Sequence, residues 1–157
     1  MAIHIVLYQP EIPANTGNIA RTCLATGAVL HLIRPLGFST EDKMLRRAGL
    51  DYWQDVDVRY YDSLDELYET YPTGDFYYIE NFGTKYYTDY DYSNRDQDLF
   101  FVFGRETDGI PKELLQGKEE KCLRIHMTDK VRSLNLSNTA AIIVYEALRQ
   151  QNFPAVD

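Results

Sequence analysis

Short apolar segments alternate with amphipathic helical patterns along this 157-residue chain, and this alternation constrains its fold more than any other feature. Strands that alternate with helices pair in parallel and are covered by helices on both faces. The sequence therefore predicts an α/β fold with a mostly parallel sheet flanked by helices, in one domain spanning residues 1–157. We predict strands at 3–8, 29–33, 56–60, 76–79, 99–103 and 123–127, and helices at 15–26, 41–48, 63–71 and 138–151.

Composition excludes several classes of protein. The formal net charge of −8 argues against a protein that coats nucleic acid by bulk attraction, although it allows a local basic site. No apolar run approaches the ~20 residues of a membrane span, and the amino terminus lacks the charged start of a signal peptide. We therefore expect a cytoplasmic protein with no membrane partner.

The cysteines and histidines predict structural roles and no metal site. Cys23 and Cys122 are far apart and form no CxxC motif, so we expect reduced thiols in the core. His4, His31 and His126 are isolated on strand-like segments and lack the spacing of metal ligands.

Common catalytic motifs are missing from the chain. No GxGxxG follows the first predicted strand, and neither a P-loop nor a GxSxG elbow occurs. Ordinary dinucleotide-binding, P-loop and serine-hydrolase functions therefore lose most of their support. A Rossmann-type enzyme with an atypical nucleotide loop stays open as an alternative.

Three polar loops remain as candidate functional segments: PANTGNIART at 13–22, LFFVFGRETDGIP at 99–111 and RSLNLSN at 132–138. Each lies at the end of a predicted strand or helix. Open α/β sheets bind their ligands at such edges.

In the first loop, Asn15 is a predicted helix cap, and Asn18 and Arg21 share one helical face three residues apart. An arginine in that position can bind a phosphate or stabilise an oxyanion. The second and third loops have fewer specific cues. Gly104 and Gly109 permit unusual backbone angles, Glu106 can accept hydrogen bonds from a neighbouring loop or a ligand, and the polar residues at 133–138 can cap the last helix.

Together with RRAGLDYW at 46–53, the three loops resemble the SPOUT superfamily of RNA methyltransferases over nearly the whole chain. Within it, the resemblance is to the minimal tRNA (cytidine/uridine-2′-O)-methyltransferases, which modify the anticodon wobble nucleotide. The resemblance implies a SPOUT fold with a carboxy-terminal deep trefoil knot. It also implies a bent S-adenosyl-L-methionine (AdoMet) cofactor, a homodimer that completes the active site, and a tRNA anticodon stem-loop as substrate.

Residue roles follow from the same resemblance. Arg21 matches the catalytic arginine. The backbone of Gly104 and Ile125 would hold the adenine and ribose of the cofactor, and Ile79 would pack against the adenine. The implied cofactor-binding set is Ile79, Gly104, Glu106, Gly109, Ile125, Met127, Ser133 and Asn135. For substrate binding we predict Asn18, Arg21, the basic residues Lys43, Arg46 and Arg47 of one short helix, and Tyr145.

The chain departs from the family pattern at one visible position. Ile125-His126-Met127 replaces the usual Ile-Pro-Met, and we expect the loss of proline to loosen the cofactor loop slightly. Two other functions stay open beside tRNA methylation: 2′-O-methylation of another RNA such as rRNA, and RNA binding without catalysis.

Overall fold

A computed structural model of the protein describes residues 2–49, 52–154 and 156. In the motif RRAGLDYW, Leu50 and Asp51 lie outside the described residues. The strands are β1 (Ile3–Tyr8), β2 (Val29–Ile33), β3 (Val58–Tyr61), β4 (Asp75–Ile79), β5 (Lys85–Tyr86), β6 (Leu99–Phe103) and β7 (Cys122–Arg124). The helices are α1 (Pro13–Thr26), α2 (Lys43–Gly49), α3 (Leu64–Thr70) and α4 (Leu136–Gln150).

The described strands form one sheet in the order β3-β2-β1-β6-β4-β7-β5, and every pair is parallel. This confirms the predicted α/β class. β6 pairs with β1 and β4, and all five of its residues are buried because helices and loops cover both faces. One core cluster joins the sheet to α1 and α4, and a second joins it to α3. The strand order does not decide how the chain is threaded, so the knot stays a prediction.

Several predicted boundaries move. β7 ends at Arg124, so residues 125–127 form a loop instead of the predicted strand end. β3 begins two residues later than predicted, and α4 begins at Leu136. The two-residue strand β5 was not predicted, because its polar sequence becomes a strand only through pairing with β7.

The prediction that Asn15 caps α1 is wrong. The helix begins at Pro13, Ile12 takes the cap position without a side-chain hydrogen bond, and Asn15 is buried in the first turn. Proline favours this first helical position because its φ angle is preset and its missing N–H needs no partner there. The predicted cap of α3 is confirmed, since the Ser63 hydroxyl accepts a hydrogen bond from the backbone N–H of Glu66.

Both cysteines are buried free thiols, as predicted, and burial raises the pKa of Cys23 to about 12. The prediction of isolated histidines is wrong for two of them. His4 and His31 lie on neighbouring strands, and their ring nitrogens are 2.8 Å apart. No helix among the described residues is long and apolar enough to span a membrane.

Candidate functional site

A cavity of about 680 Å³ lies where β4, β6 and β7 end. This is the edge at which parallel sheets bind small ligands, and the volume is in the range of known ligand sites. The residues predicted to bind a cofactor all line this one cavity: Ile79, Gly104, Glu106, Gly109, Ile125, Met127, Ser133 and Asn135.

The walls of the cavity differ in character. Ile79, Phe103, Ile125 and Met127 contribute apolar side chains from the strand ends and the loop after β7. Polar groups line the rest of the cavity and come from the segment 104–109 and from the loop before α4. A cavity of this kind suits a ligand with a flat apolar part and several hydrogen-bonding groups.

The 104–109 segment is a tight turn that requires glycine. Arg105 and Gly109 exchange two backbone hydrogen bonds, and Gly109 has a φ of +70°. A Cβ atom on Gly104 would lie 2.2 Å from the carbonyl carbon of Gly109. Any side chain at Gly104 would therefore force this wall of the cavity to move.

Glu106 joins this turn to the start of α1. Its carboxylate accepts hydrogen bonds from the backbone N–H groups of Glu11 and Ile12, at 2.9 and 3.0 Å, and from the Asn15 amide at 3.3 Å. Of the two predicted partners, a neighbouring loop or a ligand, the structure shows the neighbouring loop.

Asn135 extends the same network to α4. Its side-chain amide donates to the Asn15 side-chain oxygen at 3.1 Å, and its own oxygen accepts from the Ser137 backbone N–H at 2.9 Å. Asn135 is therefore the cap of α4, as expected of the third loop. Hydrogen bonds thus connect all three predicted loops.

The residues predicted for catalysis and RNA binding lie outside the cavity wall. Arg21 is exposed on α1, with its guanidinium carbon 5.8 Å from the ring centre of Tyr52. Because α1 packs against α2, Arg21 and the basic helix lie on neighbouring elements. The other members of this set that do not line the cavity are Asn18, Lys43, Arg46, Arg47 and Tyr145.

These basic residues differ in their freedom to bind RNA. Lys43 and Arg47 are exposed, whereas Arg46 donates from Nε to the Thr40 carbonyl at 3.1 Å and lies 3.7 Å from a Glu41 oxygen. Tyr145 is 44% exposed on α4.

Residues 2–145 match the SpoU rRNA Methylase family. This chain belongs to that family. The membership confirms the resemblance to SPOUT RNA methyltransferases and removes the Rossmann-type alternative.

Similar proteins match almost the whole length of this chain. A Geobacillus stearothermophilus protein named "Putative tRNA (cytidine(34)-2'-O)-methyltransferase" is 69% identical over 153 residues, covering 98% of each chain. The Methylovorus glucosotrophus tRNA (cytidine(34)-2′-O)-methyltransferase is 44% identical over 150 residues, covering 95% of this chain and 96% of the relative. A solved structure described as "Structural insights into the 2-OH methylation of C/U34 on tRNA" has a TM-score of 0.87 at 42% identity. It covers 96% of this chain and 97% of the other.

His126, which stands where the family pattern has proline, stacks on Tyr86. The ring centres are 3.9 Å apart and the rings are 8° from parallel. Tyr86 belongs to β5, which pairs with β7 directly before the loop. The stack therefore restrains the loop at the position where the stiffness of proline is missing.

Sequence reasoning missed Glu80 in the cavity wall. This residue directly follows β4, is half-buried, and accepts a hydrogen bond from the Ile110 backbone N–H at 2.6 Å. Burial raises the pKa of its carboxyl group. Its position at the carboxyl end of a predicted buried strand is the signal that could have identified it.

A second, more open depression lies at the ends of β2 and β3, lined by residues that include Arg34, Phe38 and Tyr60. None of the residues predicted for cofactor binding or catalysis lines it. The cavity beside β4, β6 and β7 is therefore the candidate site.

Proposed function

We propose that this protein is an AdoMet-dependent tRNA 2′-O-methyltransferase that modifies the ribose of the wobble nucleotide, cytidine or uridine 34. The observation that carries the proposal is the meeting of all three motif loops around one cavity, in a chain similar end to end to relatives named for this reaction. A tRNA substrate would place the enzyme in the cytoplasm.

The residues of the cavity fit the proposed cofactor. Apolar side chains of Ile79, Ile125 and Met127 offer a surface for an adenine ring, and the backbone at Gly104 and Ile125 offers hydrogen bonds. Bound AdoMet would supply the methyl group from its sulfonium, so the protein mainly has to orient the two reactants.

Arg21 is the proposed catalytic residue. Its guanidinium is always protonated, so we assign it to stabilising the alkoxide that forms at the ribose 2′-oxygen, with an RNA phosphate as the proton acceptor. Arg21 does not line the cavity of its own chain. We therefore propose a homodimer in which Arg21 of one subunit acts at the cavity of the other.

Exposed apolar side chains support such a dimer. Leu24 on α1 is 39% exposed and Tyr145 on α4 is 44% exposed, and these two helices pack against each other. Ile12 and Leu134, at the starts of the same helices, are 44% and 37% exposed. Pairing with a second copy would remove this apolar surface from water.

The anticodon stem-loop is the proposed RNA partner. Lys43 and Arg47 give α2 an exposed positive surface in a protein of net charge −8, and Arg46 adds to it at its half-buried position. Local positive charge of this kind binds the phosphate backbone.

Ribose-methylation mapping of total tRNA and rRNA from cells with and without the gene tests the substrate. We expect one methylation, at tRNA position 34, to disappear with the gene. Ribosomal RNA is the second candidate substrate, because the matching family is named for rRNA methylases. A loss confined to rRNA would therefore replace the proposed substrate, and no loss at all would support RNA binding without catalysis.

Arg21→Ala tests the catalytic assignment. We expect turnover to fall roughly 100-fold to 1,000-fold, as when a group that stabilises an oxyanion is removed, while AdoMet affinity stays within about twofold. Single-turnover methylation and calorimetric titration measure the two quantities. Arg21→Lys is the matched variant, and should recover part of the rate because it keeps the charge but loses the planar fork. Full turnover in Arg21→Ala would exclude the assignment.

A further inference from the structure

Glu80 is a half-buried carboxylate in the cavity wall to which the proposed chemistry assigns no role. It directly follows β4, and both of its carboxylate oxygens lie against Gly109. A Cβ atom on Gly109 would approach them to 2.9 and 3.0 Å. Glycine at this position therefore gives the carboxylate room at the cavity wall.

One carboxylate oxygen of Glu80 is left without a partner. Oε1 accepts from the Ile110 backbone N–H at 2.6 Å, whereas no donor among the described residues bonds to Oε2. A second hydrogen bond would stabilise this half-buried carboxylate, because burial has removed part of its hydration.

The basic side chains around the cavity do not neutralise Glu80. Four basic residues line the same cavity. Arg132 is one of them, and the charged groups of the other three, Arg105, Lys112 and Arg124, lie over aromatic rings. They are 5.4 Å from the Tyr8 ring centre, 5.6 Å from that of Phe82 and 5.3 Å from that of Tyr86, respectively. Within the described part of the chain, none forms a salt bridge with Glu80.

We propose that Glu80 is a cofactor-binding residue whose free oxygen accepts a hydrogen bond from a ribose hydroxyl of AdoMet. A carboxylate at the carboxyl end of a parallel strand is the group with which other α/β nucleotide sites bind ribose hydroxyls. The assignment rests on the proposed function, because it requires AdoMet in this cavity.

A purely structural role is the competing explanation. Through Ile110, Glu80 also anchors the turn that carries Gly104 and Gly109. Glu80→Gln separates the two roles, because the glutamine oxygen can still accept from Ile110 while the free oxygen is replaced by an NH2 group, which donates and cannot accept. Glu113→Gln is the matched control, since it makes the same chemical change at an exposed residue outside the cavity wall.

Calorimetric titration with S-adenosylhomocysteine, the demethylated product, tests the proposal. We expect Glu80→Gln to bind it roughly tenfold to a hundredfold more weakly, the range of a hydrogen bond to a charged group. Glu113→Gln should bind it within about twofold of the unmodified protein. Equal affinity in Glu80→Gln and the unmodified protein would overturn the proposal.

Three analogues of the product identify the cofactor group to which Glu80 bonds. 5′-Methylthioadenosine lacks the amino-acid part of the product, so the loss in Glu80→Gln should persist with it. The loss should vanish with either the 2′-deoxy or the 3′-deoxy form of S-adenosylhomocysteine. Loss of the effect with 5′-methylthioadenosine would assign Glu80 to the cofactor ammonium instead, and an effect that persists with both deoxy forms would exclude the ribose.

The unmodified protein provides a test that does not depend on folding of the variant. It should bind one deoxy form at least tenfold more weakly than S-adenosylhomocysteine. Equal affinity for S-adenosylhomocysteine and both deoxy forms would contradict the proposal. If the unmodified protein does not bind S-adenosylhomocysteine at all, the proposed function fails. Binding that is insensitive to Glu80→Gln leaves that function intact and removes only the role of Glu80.

Discussion

At the scale of single residues, Asn135 links the end of the chain to its beginning. Its oxygen caps α4 through Ser137, while its amide group bonds to the buried side chain of Asn15 in α1. Asn15 in turn donates to Glu106. One side chain therefore stabilises a helix terminus and also supports the wall of the cavity.

Asn135→Ala should lower the free energy of unfolding by about 2 kcal/mol, from a lost helix cap and a buried Asn15 oxygen left without a donor. Asn135→Ser keeps a good cap residue and loses only the bond to Asn15, so we expect about half that effect. Urea unfolding at equilibrium measures both. If the serine variant is as stable as the unmodified protein, the bond to Asn15 contributes nothing to stability.

Residue types could be predicted from the sequence at these positions, but their partners could not. Asparagine and serine before a helical pattern predict a cap, and Asn135 confirms it. The bond between Asn15 and Asn135 spans 120 positions of the chain and depends on how α1 meets α4. The position of Glu80 after a predicted strand is visible in the sequence, but its burial and its contact with Ile110 exist only in the folded chain.

At the scale of elements, the long apolar segments were predicted best. β1, β2 and β6 have the predicted bounds because their continuous apolar runs favour buried parallel strands. β5 was missed, and β7 was predicted too long, because pairing decides where these short segments begin and end. The pairing of β1 with β2 also creates a contact that no local pattern predicts, between His4 and His31.

Burial keeps the His4–His31 pair neutral, and hydrogen bonds connect both rings to neighbouring side chains. Asp98 is 3.0 Å from His4 Nε2, and the Tyr61 hydroxyl is 3.2 Å from His31 Nδ1. A carboxylate only accepts, so the bonds are all satisfied if Tyr61 donates to His31, His31 to His4, and His4 to Asp98. Burial lowers the pKa of His31 to about 3 and also lowers that of His4.

Stability should therefore fall as the pH drops below about 6.5, because both histidines are protonated at a higher pH in the unfolded chain than in the fold. Because the folded pKa values are the lower ones, the stabilisation is complete above 6.5 and is lost progressively toward pH 3. A histidine that stays neutral in the fold contributes roughly 1 kcal/mol per pH unit, and His31 does so down to about pH 3. Urea unfolding between pH 7.5 and 5.5 measures the slope. The exposed His126→Gln variant should retain this slope, and a flat profile in the unmodified protein would contradict the prediction.

At the scale of the whole molecule, the separation of Arg21 from the cavity is the central fact. The cavity lies at the ends of β4, β6 and β7, whereas Arg21 is on the exposed surface of α1 beside apolar Leu24. Three motif loops and a chain-wide resemblance were enough to predict the residues that line the cavity, whereas the role of Arg21 stays a prediction. If Arg21 acts at the cavity of a second subunit, as proposed, that placement is a property of an assembly, and the sequence of one chain does not contain it in any local pattern.

Mixing two inactive variants tests whether the site is shared between subunits. Arg21→Ala removes the proposed catalytic group, and Gly104→Ala disrupts the cavity because its Cβ would lie 2.2 Å from the Gly109 backbone. If Arg21 acts across a dimer, each mixed dimer has one intact cavity facing one intact arginine. Equal mixing with free subunit exchange should then restore about a quarter of the unmodified activity, because half of the dimers are mixed and each has one working site.

If Arg21 acts within its own subunit, both sites of every mixed dimer lack one component. Methylation by the mixture would then stay at the level of the separate variants, which would exclude a shared site.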